Sequence, residues 1–399
     1  MFFQQLLILL IFVWISRKIF QYLQFPTLFG EVFAGLLVGP LVLQLVSDSE
    51  PLRVLSELGV FFLMFHSGLE TNPKDILRFS RVSFFVALGG IILPFLGAYL
   101  VSSWFGYDLN TSFFVVLVLS VTAAAISARL LKDSKISQTP VAHVIVTAAH
   151  ITEILMLFVF SLFLDVNRTG AVDFFRMGYV VAAFVSYFVV VFYVGHRYFK
   201  HLYRIIHKGN KGFTFAVILA LLFGVVAELI GLHMIIGAFL AGLFLHQEFI
   251  DGEVYTKIED RIFGLSYSFL GPIFFATLAF HLDLDALDTL PWFVLCVFLV
   301  AVFGKILGSG VMAFWSGLGF QDSLVVGLGM GSRGVLELIM ASIGFQEGII
   351  DAKIFSVLVL VSFSSTVVST LAMKPLIPRL QKRITRAPPL DLLMNRRGL

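Results

Sequence analysis

Apolar residues dominate this chain in long blocks, broken by short clusters of charge, glycine or proline, and block length decides what each block is. Windows of roughly 17 to 25 apolar residues recur from end to end, each able to cross about 30 Å of hydrocarbon as a helix. Thirteen windows can be read, beginning at Phe2, Thr27, Leu52, Phe79, Thr111, Pro140, Val172, Phe213, Met234, Ile262, Leu290, Asp322 and Ile354. The pattern predicts an all-α polytopic membrane protein with thirteen transmembrane helices, a single membrane domain whose last residues, about 375–399, form a short basic tail. The first window has no positive charge ahead of its apolar run and no small-residue cleavage site, so it reads as a retained span rather than a signal peptide.

Composition agrees. With 59% hydrophobic residues, 13% charged residues and a mean hydropathy of +0.97, the chain has too little polar surface to clothe a soluble globule. Its single cysteine, Cys296, excludes an internal disulfide and any multi-cysteine metal site. Net charge is only +3, and its placement carries the information. If the N-terminus is outside, the outer loops hold only Arg53, Arg168, Arg176 and Lys353, and Lys305 and Arg333 fall inside spans. The remainder of the 28 Lys and Arg residues then lie in inner loops and the tail. The positive-inside rule therefore predicts a multi-pass plasma (bacterial inner) membrane protein with the N-terminus outside and the C-terminus cytoplasmic. No Walker loop, dinucleotide fingerprint, zinc pattern or Ser/His/Asp elbow is present. No enzyme chemistry, cofactor or nucleic-acid partner is expected.

Two halves of the chain echo one another. Gly30-Glu-Val-Phe-Ala-Gly35-Leu-Leu in the second span resembles Gly237-Ala-Phe-Leu-Ala-Gly242-Leu-Phe in the ninth. Leu58-Gly59 leading to Gly68-Leu69-Glu70 resembles Leu270-Gly271 leading to His281-Leu282-Asp283, and Leu119-Ser120-Val-Thr122 aligns with Leu328-Gly329-Met-Gly331. Mates lie seven spans apart, an odd number, so the second copy runs through the membrane upside down. This predicts two inverted six-helix repeats, about 1–165 and about 212–374, joined by a connector helix near 171–195. In such proteins a site forms near the midplane where paired, interrupted helices meet. The small and hydroxylated runs Ser120–Ser127 and Gly329–Gly334 are the candidates, because unwound backbone is tolerated in a membrane only where it lines a cavity or is buried in protein.

Glu153 is the residue most out of place. It lies midway along the sixth span, with no other carboxylate from Pro140 until Asp165. An intramembrane carboxylate costs several kcal/mol and marks an ion or proton site by default. Such a group can hold a proton or a small cation but hardly both, and that competition is the minimum chemistry of exchange. Thr152 precedes it, and Ser120 and Thr122 are candidate oxygens for the same ion. Lys305, in the eleventh span, is a candidate partner that would tune the acid. Arg333 pairs with Glu337 one turn on or neutralises carbonyl-end dipoles, with a buried structural ion pair as the plainer reading. His150 and His143, three and ten residues before Glu153, are either proton relays or satisfied core histidines. Glu31, Glu70, Glu228, His233 and His281 lie near helix ends, where interfacial solvation suffices.

The runs Pro26-Thr-Leu-Phe-Gly30-Glu31-Val-Phe-Ala-Gly35-Leu-Leu-Val-Gly39-Pro40 and Leu58-Gly59-Val-Phe-Phe-Leu-Met-Phe65 resemble the monovalent cation:proton antiporter-2 family. So do Gly237–Gly242, Pro272-Ile-Phe-Phe275 and Arg333-Gly-Val-Leu-Glu337. The resemblance implies a cation/proton antiporter fold with a core and a dimerisation domain, crossed discontinuous fifth and twelfth helices, an elevator-like movement and a homodimer. It implies transported Na⁺ or K⁺ at Glu153 and a role for Lys305 as the family's lysine. Thr152 stands where relatives carry Asp, Asn or Gln. An Asp-Asp pair is associated with electrogenic exchange, so Thr-Glu implies electroneutral exchange. The chain ends about two dozen residues past the last span, so nucleotide gating is expected only through a separate regulatory subunit. Two rival readings remain open: a proton-coupled anion transporter using Arg333 and helix-end amides, and a non-transporting scaffold or sensor.

Overall fold

The computed structural model describes residues 2–23, 25–73, 80–133, 135–169, 173–207, 212–247 and 252–377. The predicted basic tail lies almost wholly outside them. The chain forms two compact units, one of Met1–Lys74 with Leu157–Asp283 and the other of Asp75–Met156 with Leu284–Leu399.

The first unit contains α1 (Phe2–Tyr22), α2 (Thr27–Val38), α3 (Glu50–Glu70), the far half of α7 (Pro140–Thr169), α8 (Phe174–His207), α9 (Gly212–Leu229), α10 (Met234–Phe244), α11 (Gly252–Leu265) and α12 (Gly271–Leu278). Its packing relies on bare backbone. A Cβ at Gly35 of α2 would strike the Ala276 carbonyl of α12, and one at Gly242 of α10 would strike the Phe65 carbonyl of α3. Between α11 and α12 the helix widens into a π-turn, Ser266–Leu270, just before Pro272. There the Gly271 amide bonds to the Ser266 carbonyl, which frees the Tyr267 carbonyl to accept from Arg17 Nη1 at 2.8 Å.

The second unit contains α4 (Arg81–Trp104), α5 (Leu109–Ser120), α6 (Ala124–Asp133), the near half of α7, the short α13 (Ala286–Thr289), α14 (Pro291–Trp315), α15 (Phe320–Gly329), α16 (Val335–Gln346) and α17 (Ala352–Met373). Gly89 of α4 and Gly308 of α14 face each other so closely that a Cβ on either would meet the other's carbonyl. A cluster of Val86, Ile145, Ala148, Leu328, Met330 and Met373 fills the interior beside them.

Among the described residues ten helical spans are long and apolar enough to cross a membrane, by length and composition, against thirteen predicted windows. The windows at Thr27 and Met234 form helices of only 12 and 11 residues. Gly39-Pro40 stops the first of these, since proline brings no amide to continue the ladder. The window at Asp322 is divided into α15 and α16. Helix α11 starts at Gly252, ten residues before the apolar window at Ile262, because hydropathy marks the edge of the lipid and not the first helical turn.

Helix α5 enters the membrane on an Asp108 cap, whose Oδ2 accepts from the amides of Asn110 at 3.0 Å and Thr111 at 3.3 Å. Hydrogen bonding from the Thr111 side chain and these amides holds the Asp108 carboxyl below its ordinary range. Its contribution is therefore present at neutral pH and is lost as pH falls through the lowered value. Asp108→Ala is expected to lower thermal stability in detergent by about 1 kcal/mol at pH 7, with less difference from wild type under acid conditions.

Candidate functional site

The chemistry gathers where two helices come apart inside the second unit. Between α5 and α6, residues 121–123 are unwound, and between α15 and α16 the chain turns at Met330 and Gly331 and is unwound at 332–334. The two breaks hold each other: the Ala123 amide donates to the Ser332 carbonyl at 2.9 Å, Thr122 Oγ1 to the Met330 carbonyl at 3.2 Å, and Ser127 Oγ to the Gly329 carbonyl at 2.9 Å. Backbone groups that an unbroken helix would pair internally are thus satisfied across the crossing, as a hydrocarbon setting demands. Crossed discontinuous helices are the observed arrangement, at the two runs singled out in the sequence.

Each free helix end of the first break meets an opposite charge. Glu153 Oε1 accepts from the Ala124 amide at 3.0 Å, placing a carboxylate on the N-terminal, positive end of α6. Lys305 Nζ donates to the Ser120 carbonyl at 2.5 Å, placing a cation on the C-terminal, negative end of α5, and to Thr122 Oγ1 at 2.7 Å. Glu153 and Lys305 are both buried. Lys305 is thereby bound to the unwound strand, and the charges of Arg333 and Glu337 also bear on it.

Arg333 and Glu337 form an ion pair at 3.1 Å with both side chains shut off from solvent, and Arg333 Nη2 also reaches the Ala301 carbonyl, one turn before Lys305 on α14, at 3.3 Å. The hydroxyls expected near the ion each donate their hydrogen to a carbonyl. Ser120 Oγ donates back to Val116 O at 2.8 Å, Thr152 Oγ1 to Ala148 O at 2.9 Å, and Thr122 joins Lys305 to the crossing. His150 is buried one turn before Glu153, whereas His143 is exposed, about 15 Å along the helix from the acid.

Three features escaped sequence reading. Thr366 of α17 clamps the second break, its hydroxyl accepting from the Arg333 amide at 3.0 Å and donating to the Arg333 carbonyl at 3.2 Å. Ser362, Thr366 and Ser369 recur at spacings of four and three on an apolar helix, a signal legible beforehand. In the first unit, Glu31 is buried against Arg17 at 3.3 Å rather than solvated at an interface, which corrects the expectation for that residue. There too His66 is fully buried, with Nδ1 3.6 Å from Glu70 and Nε2 3.5 Å from Glu259.

Comparison with known proteins adds a lineage. The family model described as "Sodium/hydrogen exchanger, transmembrane" matches residues 6–379. The chain is 30% identical to the Na(+)/H(+) antiporter NhaS4 of a Synechocystis strain, over 88% of this chain and 91% of that one. It is 29% identical to the Na(+)/H(+)-K(+) antiporter GerN of Bacillus cereus, over 92% and 94% respectively. A solved structure of a sodium proton antiporter from Methanocaldococcus jannaschii superposes with a TM-score of 0.72 at 17% identity, covering 94% of this chain and 97% of that chain, a likeness of fold.

Proposed function

This chain belongs to the transmembrane sodium/hydrogen exchanger family, and on that premise we propose that Glu153 is the group at which it exchanges a monovalent cation for a proton by alternating access. The observation that carries this reading is the seat of Glu153: a buried carboxylate bonded to the Ala124 amide beside a helix break, with Thr152 adjacent. A relative named for Na⁺, H⁺ and K⁺ supports Na⁺ or K⁺ as the cation.

Charge balance favours electroneutral exchange. Ionised Glu153 and Glu337 cancel Lys305 and Arg333, and neutralising Glu153 with either one monovalent cation or one proton leaves the same net charge. Swapping the two then moves no net charge. In this reading Lys305, Ser120 and Thr122 hold the first break in shape, Arg333 and Glu337 brace the second, and His150 is the nearer candidate for passing protons, with exposed His143 a more distant one. The anion-transport alternative is disfavoured because the α6 amide end and the Arg333 guanidinium are already occupied by the chain's own carboxylates.

The ten long spans and the three short apolar helices together support thirteen crossings, with the N-terminus outside and the C-terminus in the cytoplasm. Reciprocal packing supports the inverted repeat. The second span of each half packs on the third span of the other, Gly35 on Ala276 and Gly242 on Phe65. The two broken helices likewise cross each other. A plasma-membrane homodimer completes the proposal.

Proteoliposomes loaded with a pH dye test it. Na⁺ or K⁺ pulses are expected to discharge an imposed pH gradient at a rate unaffected by clamping the membrane potential. Discharge that follows the anion instead, or no flux from a folded protein, would overturn the reading.

A further inference from the structure

Helix α17 runs antiparallel to the second break, and three of its polar residues meet three positions there in order. Ser362 lies beside Glu337, Thr366 holds Arg333, and Ser369 approaches Gly331 so closely that a Cβ on that glycine would collide with its hydroxyl. The seam between them is polar, and all of it is buried.

Much of its hydrogen-bonding capacity has no protein partner. Glu337 Oε2, Arg333 Nε and the hydroxyls of Ser332, Ser362 and Ser369 are buried without a hydrogen bond. Ser362 is close enough to act on the Glu337 carboxylate as a side-chain hydrogen-bond partner, though outside full bonding geometry. Each unsatisfied atom costs about 1–3 kcal/mol. Even if Ser362 and Glu337 satisfy one another, Arg333 Nε and the hydroxyls of Ser332 and Ser369 along the same seam are difficult to sustain in a membrane without a ligand small enough to enter.

We propose that this seam binds a file of internal water molecules that delivers protons, but not metal cations, to the crossing of the broken helices. Water can donate to Glu337 Oε2 and accept from Arg333 Nε, and it can pair with each serine in either sense. A dehydrated Na⁺ or K⁺ needs several oxygens around it at once, and the seam offers isolated hydroxyls in single file. A proton needs only continuous hydrogen bonds, and the mutual neutralisation of Arg333 and Glu337 leaves the route without a strong net charge of its own. One end of the seam, at Ser369, lies one turn from the end of α17 at Met373. The other side reaches Ser332, whose carbonyl holds the Ala123 amide, next to the Ala124 amide that holds Glu153.

The inference rests on the antiport reading, and the experiment separates the two. Cation-driven proton movement is measured in proteoliposomes for wild type, Ser362→Ala, Ser369→Ala and, as a control, Ser365→Ala, whose hydroxyl is already bonded to the Ser362 carbonyl at 3.2 Å. Rates are taken per folded protein. Loss of one link is expected to slow exchange about tenfold at alkaline pH, where protons are scarce. The rate should recover as pH falls, with the cation KM unchanged and the control like wild type. Equal loss at every pH, a raised cation KM or no loss would overturn the water file. A wild type without antiport would overturn the parent reading instead. Should the alanine variants not fold, Ser362→Cys and Ser369→Cys replace them, since a thiol fills nearly the same space but hydrogen-bonds weakly, and the same pH-dependent slowing is expected and the same outcomes overturn the proposal.

Discussion

Glu153→Gln is expected to abolish cation-driven proton movement while leaving a folded protein. The amide keeps the shape of the side chain, and its oxygen can still accept from the Ala124 amide, so the α6 end retains its hydrogen bond. What disappears is the negative charge that a dehydrated cation and a proton compete for. Removing one partner of a buried charge pair costs about 3–5 kcal/mol, or roughly 100- to 1,000-fold or more at 1.4 kcal/mol per decade. Transport by the variant should therefore fall to the background of empty liposomes, while its elution as a single folded species is unchanged. Glu153→Asp retains the charge on a shorter arm and is expected to preserve measurable exchange with altered cation KM.

The second large effect falls on stability. Glu337→Gln leaves Arg333 and Lys305 as neighbouring buried cations with no anion among the three, and the expected loss is about 3–5 kcal/mol, read as a drop of several degrees in the unfolding midpoint in detergent. Because the pair gains only part of what its desolvation costs, Arg333→Met combined with Glu337→Leu should regain most of that loss. The backbone bonds between Arg333 and Thr366 do not depend on the guanidinium, so the break itself survives the double substitution. A double variant less stable than Glu337→Gln would mean that the pair is a net source of stability.

Much of this site was legible because the membrane makes polar residues expensive. Glu153, Lys305, Arg333 and Glu337 stand out against an apolar background, and the two small-residue runs marked both breaks. Pairing was less legible. The bond from Lys305 to the Ser120 carbonyl was not foreseen, because an unwound helix end presents a backbone acceptor that no residue type announces. Ser362, Thr366 and Ser369 were passed over because serines and threonines are ordinary residues in membrane helices, and only their register against 331–337 gives them a role. The short helices at Thr27 and Met234 were overestimated for a related reason. Hydropathy reports what surrounds a segment and is indifferent to whether its backbone stays helical throughout. Glu31 was read from its position near a helix end, and position alone did not reveal Arg17 beside it.

The central claim is competition of a cation and a proton for one carboxylate, and proton release on cation binding measures it directly. Titrating the purified protein with Na⁺ or K⁺ in buffers of different ionisation enthalpy gives the number of protons displaced. At a pH where Glu153 is protonated, the account predicts about one proton released per cation bound, with neither binding nor release in Glu153→Gln. Cation binding without proton release, or release that persists in Glu153→Gln, would contradict it.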